Sequence, residues 1–336
     1  MKSALKALAA TLVLAAVTST APTTLHDRAA ISTTDLSNMQ FYAQYAAISY
    51  CNSNNAVGQA VTCSGNACPT VTSHKATTFK TFSGILTDIQ GLIAIDPVNA
   101  LIVVSFRGSH SVRNWITNIV FNFSDCTYTS NCQVHDGFAA AWAEISSSVL
   151  SGVKAARAAH PSYKIISTGH SLGGAIATLG AASLRQSGYA VDLYTYGSPR
   201  VGNDAFTNFV TAQPGLEVRV THLDDPVPRL PPLLFGYRHT SPEYWLSDGT
   251  ATTTSYGVAD VKVCAGSANV ACNAGTFGLD VDAHLNYFEG IAGCSPDGLP
   301  FRRSEEVSDA DLETRLNMYS TLDIQYAQQL AAKGSS

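Results

Sequence analysis

The apolar positions change period several times along the chain. Between residues 34 and 49, Leu36, Met39, Tyr42, Ala43, Ala46 and Ala47 recur three and four apart, which predicts an amphipathic first helix. Strand-like runs follow within 81–96. GLIAID and LIVVSF, joined across Asp96-Pro97-Val98-Asn99, read as a hairpin whose second strand is apolar on both faces and therefore fully buried. A long helical stretch over 138–158 ends near Pro161. A strand at 164–168, a helix from Leu172 to about Arg185, a strand at 191–196, a helix around 204–210 and a strand at 217–223 complete the alternation. Such alternation predicts an α/β fold with a mostly parallel central sheet. No internal repeat is seen.

The two ends read differently. MKSALKALAATLVLAAVTST sets Lys2 and Lys6 ahead of a short apolar run, the layout of a secretory leader too short to span a bilayer. We place a signal peptide over 1–21 and a propeptide over 22–30, with His26-Asp27-Arg28 marking a second cut, so that the fold occupies 31–301. After Phe301 the chain turns acid-rich and cysteine-free, opening with Arg302-Arg303. Leu312, Leu316, Tyr319 and Leu322 could line one face of a weak helix, and the reading for 302–336 is a removable or flexible extension.

Eight cysteines in a chain with such a leader predict four disulfides, formally in 105 connectivities. Closeness in sequence favours Cys63–Cys68, Cys126–Cys132 and Cys264–Cys272, and leaves Cys51–Cys294 to tie the ends of the domain together. No Cys-x-x-Cys or paired-histidine spacing points to zinc, and no cofactor is expected. A net charge of −5 carries no nucleic-acid footprint. With 46% hydrophobic and 13% charged residues, the chain reads as a compact, secreted monomer. Asn122-Phe123-Ser124 is a glycosylation sequon.

Gly169-His170-Ser171-Leu172-Gly173 places a serine between two glycines where a strand gives way to a helix. A glycine-rich turn that only lets a helix pack closely would explain the glycines, but not the serine. A nucleophile on a sharp strand-to-helix bend explains both. A serine hydroxyl needs a histidine to take its proton, and that histidine needs a carboxylate to hold its tautomer. In this arrangement the acid and then the histidine follow the serine along the chain. Three histidines do so. His222 sits within a strand run, His239 in a loop, and His284 begins an aromatic-rich segment ten residues before Cys294, which makes it the choice for the base. The strand ending at Leu223 runs into Asp224-Asp225-Pro226, and spacing does not choose between the two carboxylates.

The oxyanion donors expected are the amide of Leu172 and, from the loop Arg107-Gly108-Ser109, the amide and hydroxyl of Ser109. Just beyond, Val112, Trp115, Ile116, Ile119 and Val120 fall at i, i+3, i+4, i+7 and i+8, with Arg113, Asn114, Thr117 and Asn118 on the other face. By itself this is a helix packed on a core. Directly after the oxyanion loop, it reads as a short lid able to lie on a lipid surface.

Seven motifs in order carry a resemblance: FRGS at 106–109, HDGF at 135–138, TGHSLGG at 168–174, YGSPRVGN at 196–203, VPRLPP at 227–232, SPEYW at 241–245 and AHLNYF at 283–288. Together they resemble the filamentous-fungal class 3 lipases of the α/β-hydrolase superfamily, from about Ser32 to Cys294. The resemblance implies a single α/β-hydrolase domain with a helical lid, a Ser171–His284–Asp225 triad, Ser109 and Leu172 as oxyanion donors, and Trp115 as the lid tryptophan. It implies three of the four disulfides. Cys264–Cys272 and the Asp before Ala-His are more like feruloyl esterases. The tail is similar to the extension of some Fusarium-type lipases, which also hydrolyse phospholipids. The activity implied is triacylglycerol hydrolysis at a lipid–water interface. Phospholipase A1 or galactolipase activity and feruloyl esterase activity are the alternatives, the last a poor match to so apolar a lid. A silent lipid-binding relative fits less well, since every expected catalytic group is present.

Overall fold

The computed structural model describes residues 31–109, 111–293 and 307–334. The expected signal peptide and propeptide, Cys294 and hence the Cys51–Cys294 pairing, and Arg302-Arg303 lie outside the described residues.

Eight strands form one sheet: β1 (Thr77–Ser83), β2 (Gln90–Asp96), β3 (Leu101–Phe106), β6 (Lys164–His170), β7 (Val191–Tyr196), β8 (Glu217–His222), β9 (Glu243–Leu246) and β10 (Val261–Cys264), neighbours in that order. Strands β3, β6, β7, β8 and β9 run parallel, while the β1–β2–β3 meander and the β9–β10 pair are antiparallel. A two-stranded ribbon, β4 (Phe123–Asp125) and β5 (Gln133–His135), stands apart and is closed by Cys126–Cys132. Cys63–Cys68 and Cys264–Cys272 also form.

The strands alternate their side chains between two cores, as a pleat requires. Leu92, Ala94, Val103, Ile166 and Tyr194 pack beneath α1 (Thr33–Asn52), with the short α2 (Pro69–Ser73) beside it. Ile93, Ile95, Ile102, Val104 and Leu193 face the other way, onto α4 (Asp136–Ala159), α5 (Leu172–Gln186) and α6 (Asp204–Ala212). This places the carboxyl ends of β6, β7 and β8 on one rim, where ligand sites of parallel sheets form. Above that rim lie α3 (Val112–Asn118) and α7 (Val281–Leu285).

One expectation is corrected. The apolar stripe predicted through Val120 is longer than the helix that carries it. Ile119 turns extended and caps α3, and His135 Nε2 donates to Val120 O at 2.6 Å, leaving the Val120 side chain 57% exposed. The tail carries the helix that the spacing of its leucines suggested. Residues Asp309–Gly334 form one helix, α8, laid against the domain over a third core of Val112, Ile116, Val227, Leu230, Leu312 and Leu316. Its buried stripe continues with Ser320 and Asp323, so the apolar signal fades after two leucines although the buried face does not. Leu322 and Tyr319 are only partly buried. Among the described residues no helix is long and apolar enough to cross a membrane.

Beyond α7 the chain makes a tight turn, with Asn286 bridged to Gly290. There Glu289 buries a carboxyl oxygen that has no hydrogen-bond partner among the described residues. Burial pushes its pKa up from 4.5 to about 9. Between those values the folded protein keeps a proton that the unfolded chain has released, so stability falls as pH rises across the window. Glu289→Gln should therefore raise the melting temperature relative to the parent by an amount that grows from pH 5 to pH 9. A constant difference would show that the carboxyl titrates normally.

Candidate active site

Ser171 occupies the turn between β6 and α5 with φ 57° and ψ −131°, a left-handed backbone that side chains rarely adopt. A serine at a helix N-cap ordinarily accepts a bond from the first turn, but Ser171 makes no such side-chain cap. The turn is crowded by backbone. A Cβ on Gly169 would lie 2.3 Å from Gly173 O, and one on Gly173 would lie 2.1 Å from Phe106 O. These contacts are why both flanking positions must be glycine. Gly108 obeys the same constraint: a Cβ there would lie 2.2 Å from Tyr50 Oη and 3.2 Å from Ser171 Cβ. The loop carrying Ser109 is thereby drawn against the serine. Leu172 opens α5, so its amide is among those with no acceptor inside the helix.

Of the two aspartates that spacing left open, Asp225 is the one that meets a histidine. His284 Nδ1 stands 2.9 Å from both Asp225 carboxylate oxygens. That carboxylate also accepts from Val227 N at 2.9 Å and from the Tyr287 hydroxyl. Asn273 Nδ2 donates to the backbone oxygens of Asp225 at 3.0 Å and Leu223 at 3.1 Å. Asp224 instead lines a cleft of about 510 Å³ with Arg113, Asp280, Asp282, Asp309 and Glu313, its pKa raised by burial and then by Asp280.

With Nδ1–H donating to Asp225, the His284 ring turns Nε2 the other way. That nitrogen is buried and has no hydrogen-bond partner among the described residues. His170, next to the serine, packs its ring 4.5 Å from that of His284. Its Nε2 donates to His284 O at 2.8 Å, which leaves Nδ1 to accept from the Tyr50 hydroxyl at 2.7 Å. Burial holds the His170 pKa well below 6.5 and the nearby His284 adds to this, so the ring is neutral. The other two candidate histidines are occupied elsewhere: His222 Nδ1 donates to Ala283 O at 2.9 Å, and His239 Nε2 to Pro228 O at 2.7 Å.

The site is covered. Ser171, Asp225 and His284 are each at most 1% exposed. Val112 and Ile116 of α3 are buried, and Trp115 lies nearly parallel to Phe138 with ring centroids 6.4 Å apart. Arg113, expected on the solvent face of α3, is buried by α8. Sequence reasoning missed four supporting residues: Tyr50, Gly197, Asn273 and Tyr287. Tyr287 stood three residues after His284, the one signal that placed it on the same side of the segment. Gly197 has φ 55°, and a Cβ there would lie 2.8 Å from Asp225 Oδ2 and 3.0 Å from His284 Nδ1.

Fold and chemistry together define a carboxylic ester hydrolase of the α/β-hydrolase class. The sequence is matched over residues 103–235 by the class 3 lipase family and over 8–79 by the lipase 3 N-terminal region. It is 50% identical over 305 residues to a secreted mono- and diacylglycerol lipase 1 of Fusarium solani, covering 91% of each chain. It is 41% identical to a secreted mono- and diacylglycerol lipase A of Penicillium camembertii, covering 81% of this chain and 91% of the relative. The fold superposes on a mono- and diacylglycerol lipase from Aspergillus oryzae with a TM-score of 0.74 at 39% identity, covering 78% of this chain and 100% of that one. For the Rhizomucor miehei triacylglyceride lipase the TM-score is 0.69 at 31% identity, covering 80% and 99%. The chain belongs to the class 3 lipase family.

Gly197→Ala tests the packing that seats Asp225 and His284. The added methyl should push the pair out of line and lower ester hydrolysis by about 10² without unfolding the protein, since misplacements near 1 Å have that effect. Activity within twofold of the parent would show that the pair tolerates the methyl.

Proposed function

We propose that this chain is a secreted lipase that hydrolyses acylglycerol esters at a lipid–water interface by acyl transfer to Ser171. The observation that carries the reading is the buried, unpartnered Nε2 of His284, its tautomer held by Asp225, on a ring packed 4.5 Å from that of the residue preceding an elbow serine. His284 Nε2 takes the Ser171 proton as Oγ adds to the ester carbonyl carbon, then returns it to the departing alcohol oxygen. A water, deprotonated by the same nitrogen, attacks the acyl-enzyme and frees the fatty acid. Asp225 stabilises the imidazolium without itself being protonated. The amides of Leu172 and Ser109, with the Ser109 hydroxyl, receive the oxyanion.

The names of the relatives point to mono- and diacylglycerols alongside the triacylglycerols that the motifs implied. Secretion is supported by the leader, by the disulfides and by the relatives' description as secreted. We read α3 as the lid: exposing Val112 and Ile116 to water costs roughly 1.5–3 kcal/mol each, a penalty that a lipid surface removes.

The test is the rate of tributyrin hydrolysis followed through its solubility limit. A sharp rise as emulsion forms is expected, and Ser171→Ala should lower turnover ~10⁶-fold. A smooth saturation curve would remove the lid from the reading, and substantial activity in Ser171→Ala would remove the nucleophile. Faster hydrolysis of phosphatidylcholine or a galactolipid than of any acylglycerol would reassign the substrate class.

A further inference from the structure

We propose that α8 is a clasp, its amino-terminal half holding the lid α3 shut and its carboxyl-terminal half anchored to the body of the enzyme. The proposal rests on the reading of α3 as a lid.

Contacts along α8 change partner near Asn317. Upstream the polar contacts go to α3, and the apolar ones are shared between α3 and Val227 and Leu230 of the body. Arg113 donates from Nε to Asp309 Oδ1 at 2.7 Å and from Nη2 to Val307 O at 2.6 Å. Arg315 Nη2 reaches Ile116 O at 3.1 Å and Thr117 O at 3.2 Å. Those two carbonyls lie in the last turn of α3, where a helix lacks internal donors and its dipole favours a cation. Between these two polar grips, Leu312 and Leu316 are buried against Val112 and Ile116. A seven-residue helix is too short to hold its own shape in water. Its outer face is finished by α8 as its inner face is by the core.

Downstream the partners belong to the body. Asn317 Oδ1 accepts from Gly278 N at 2.7 Å, and Ser320 Oγ stands 3.2 Å from Arg229 Nη1. The buried Asp323 carboxylate accepts from Arg200 Nη1 and from Leu233 N, each at 2.7 Å. None of these partners lies on α3. The lid can therefore lift only by breaking the Arg113, Arg315 and leucine contacts, whereas the far half of α8 can remain seated throughout.

The test compares the full chain with the double variant Asp309→Asn/Arg315→Gln, which weakens the grip on α3 and leaves the anchor intact. Tributyrin hydrolysis is measured below and above the solubility limit. The variant should hydrolyse dissolved tributyrin at least about tenfold faster than the parent, as expected for losing hydrogen bonds that involve charged groups. Its rate on emulsion should stay within twofold, so that the jump at the limit shrinks. Restoring the charge with Asp309→Asn/Arg315→Lys should return part of the jump. A parent with a clear jump and a variant with the same jump would overturn the clasp while keeping the lid. A parent with no jump would overturn the lid reading itself.

Hydrogen exchange on the unaltered full-length protein decides the matter should the variant fail to fold. On adding mixed micelles of dioctanoylglycerol, peptides from 112–118 and 307–316 should lose protection together, while 317–334 stays protected. Loss of protection in 112–118 alone would overturn the clasp.

Discussion

The close approach of the start of α5 to the ends of β3 and β6 is the constraint on which this molecule is built. With Gly173 seated almost on the Phe106 carbonyl and Gly169 against Gly173, no side chain can enter that corner. The chain can then leave β6 and enter α5 only through the left-handed bend at Ser171. That bend lifts the serine out of the capping role its position would otherwise assign. The same corner brings Gly108 close to Ser171, so the oxyanion loop is placed by packing as well as by the bonds that tie Arg107 to Gln90 and Asp88. Strain of this kind typically costs ~1–3 kcal/mol per residue and persists only where the surroundings over-determine it. Here two cores, one on each face of the sheet, do so.

Around this corner hydrogen bonds fix the acid and both histidine rings, and leave Nε2 of His284 without a partner among the described residues. Asp225 has donors from a histidine, an amide and a tyrosine, and His170 is committed on both ring nitrogens. His284 is committed on one. Buried polar atoms are mostly bonded, and among those that are not, His284 Nε2 is the one on a ring oriented by a carboxylate beside the elbow serine. Tyr50 and Tyr287 belong to this arrangement although neither lies near the serine in sequence. Each adds a further hydrogen bond to a ring or a carboxylate of the site.

Much of this was legible beforehand because it rests on local rules. The serine bend, the parallel sheet and three disulfides follow from period, glycine placement and short cysteine spacings, and the structure matches them. The choice between Asp224 and Asp225 was not legible from spacing, because adjacent residues on a loop differ only in the direction they face. The burial of Arg113 and the full extent of α8's buried face were not legible, for one shared reason. Arginine, serine and aspartate count as surface residues in any pattern, yet Arg113, Arg200, Ser320 and Asp323 are all buried because they meet one another's elements across the fold. Contacts between residues 113 and 309, or 200 and 323, leave no periodic trace.

The buried pair of Arg200 and Asp323 also bears on the order in which the molecule is completed. Arg200 is fully buried, burial lowers its pKa, and the carboxylate that opposes this effect belongs to α8. Arg229 leans on the same helix through Ser320. On a ribosome every strand of the sheet emerges before α8, so a nascent domain holds guanidiniums in its interior without their last partners. Removing one member of a buried pair commonly costs ~3–5 kcal/mol. A chain halted before Asp323 would therefore carry its hydrolytic groups in a fold whose interior charge is unbalanced. The helix that balances this interior charge is the same one that lies against α3.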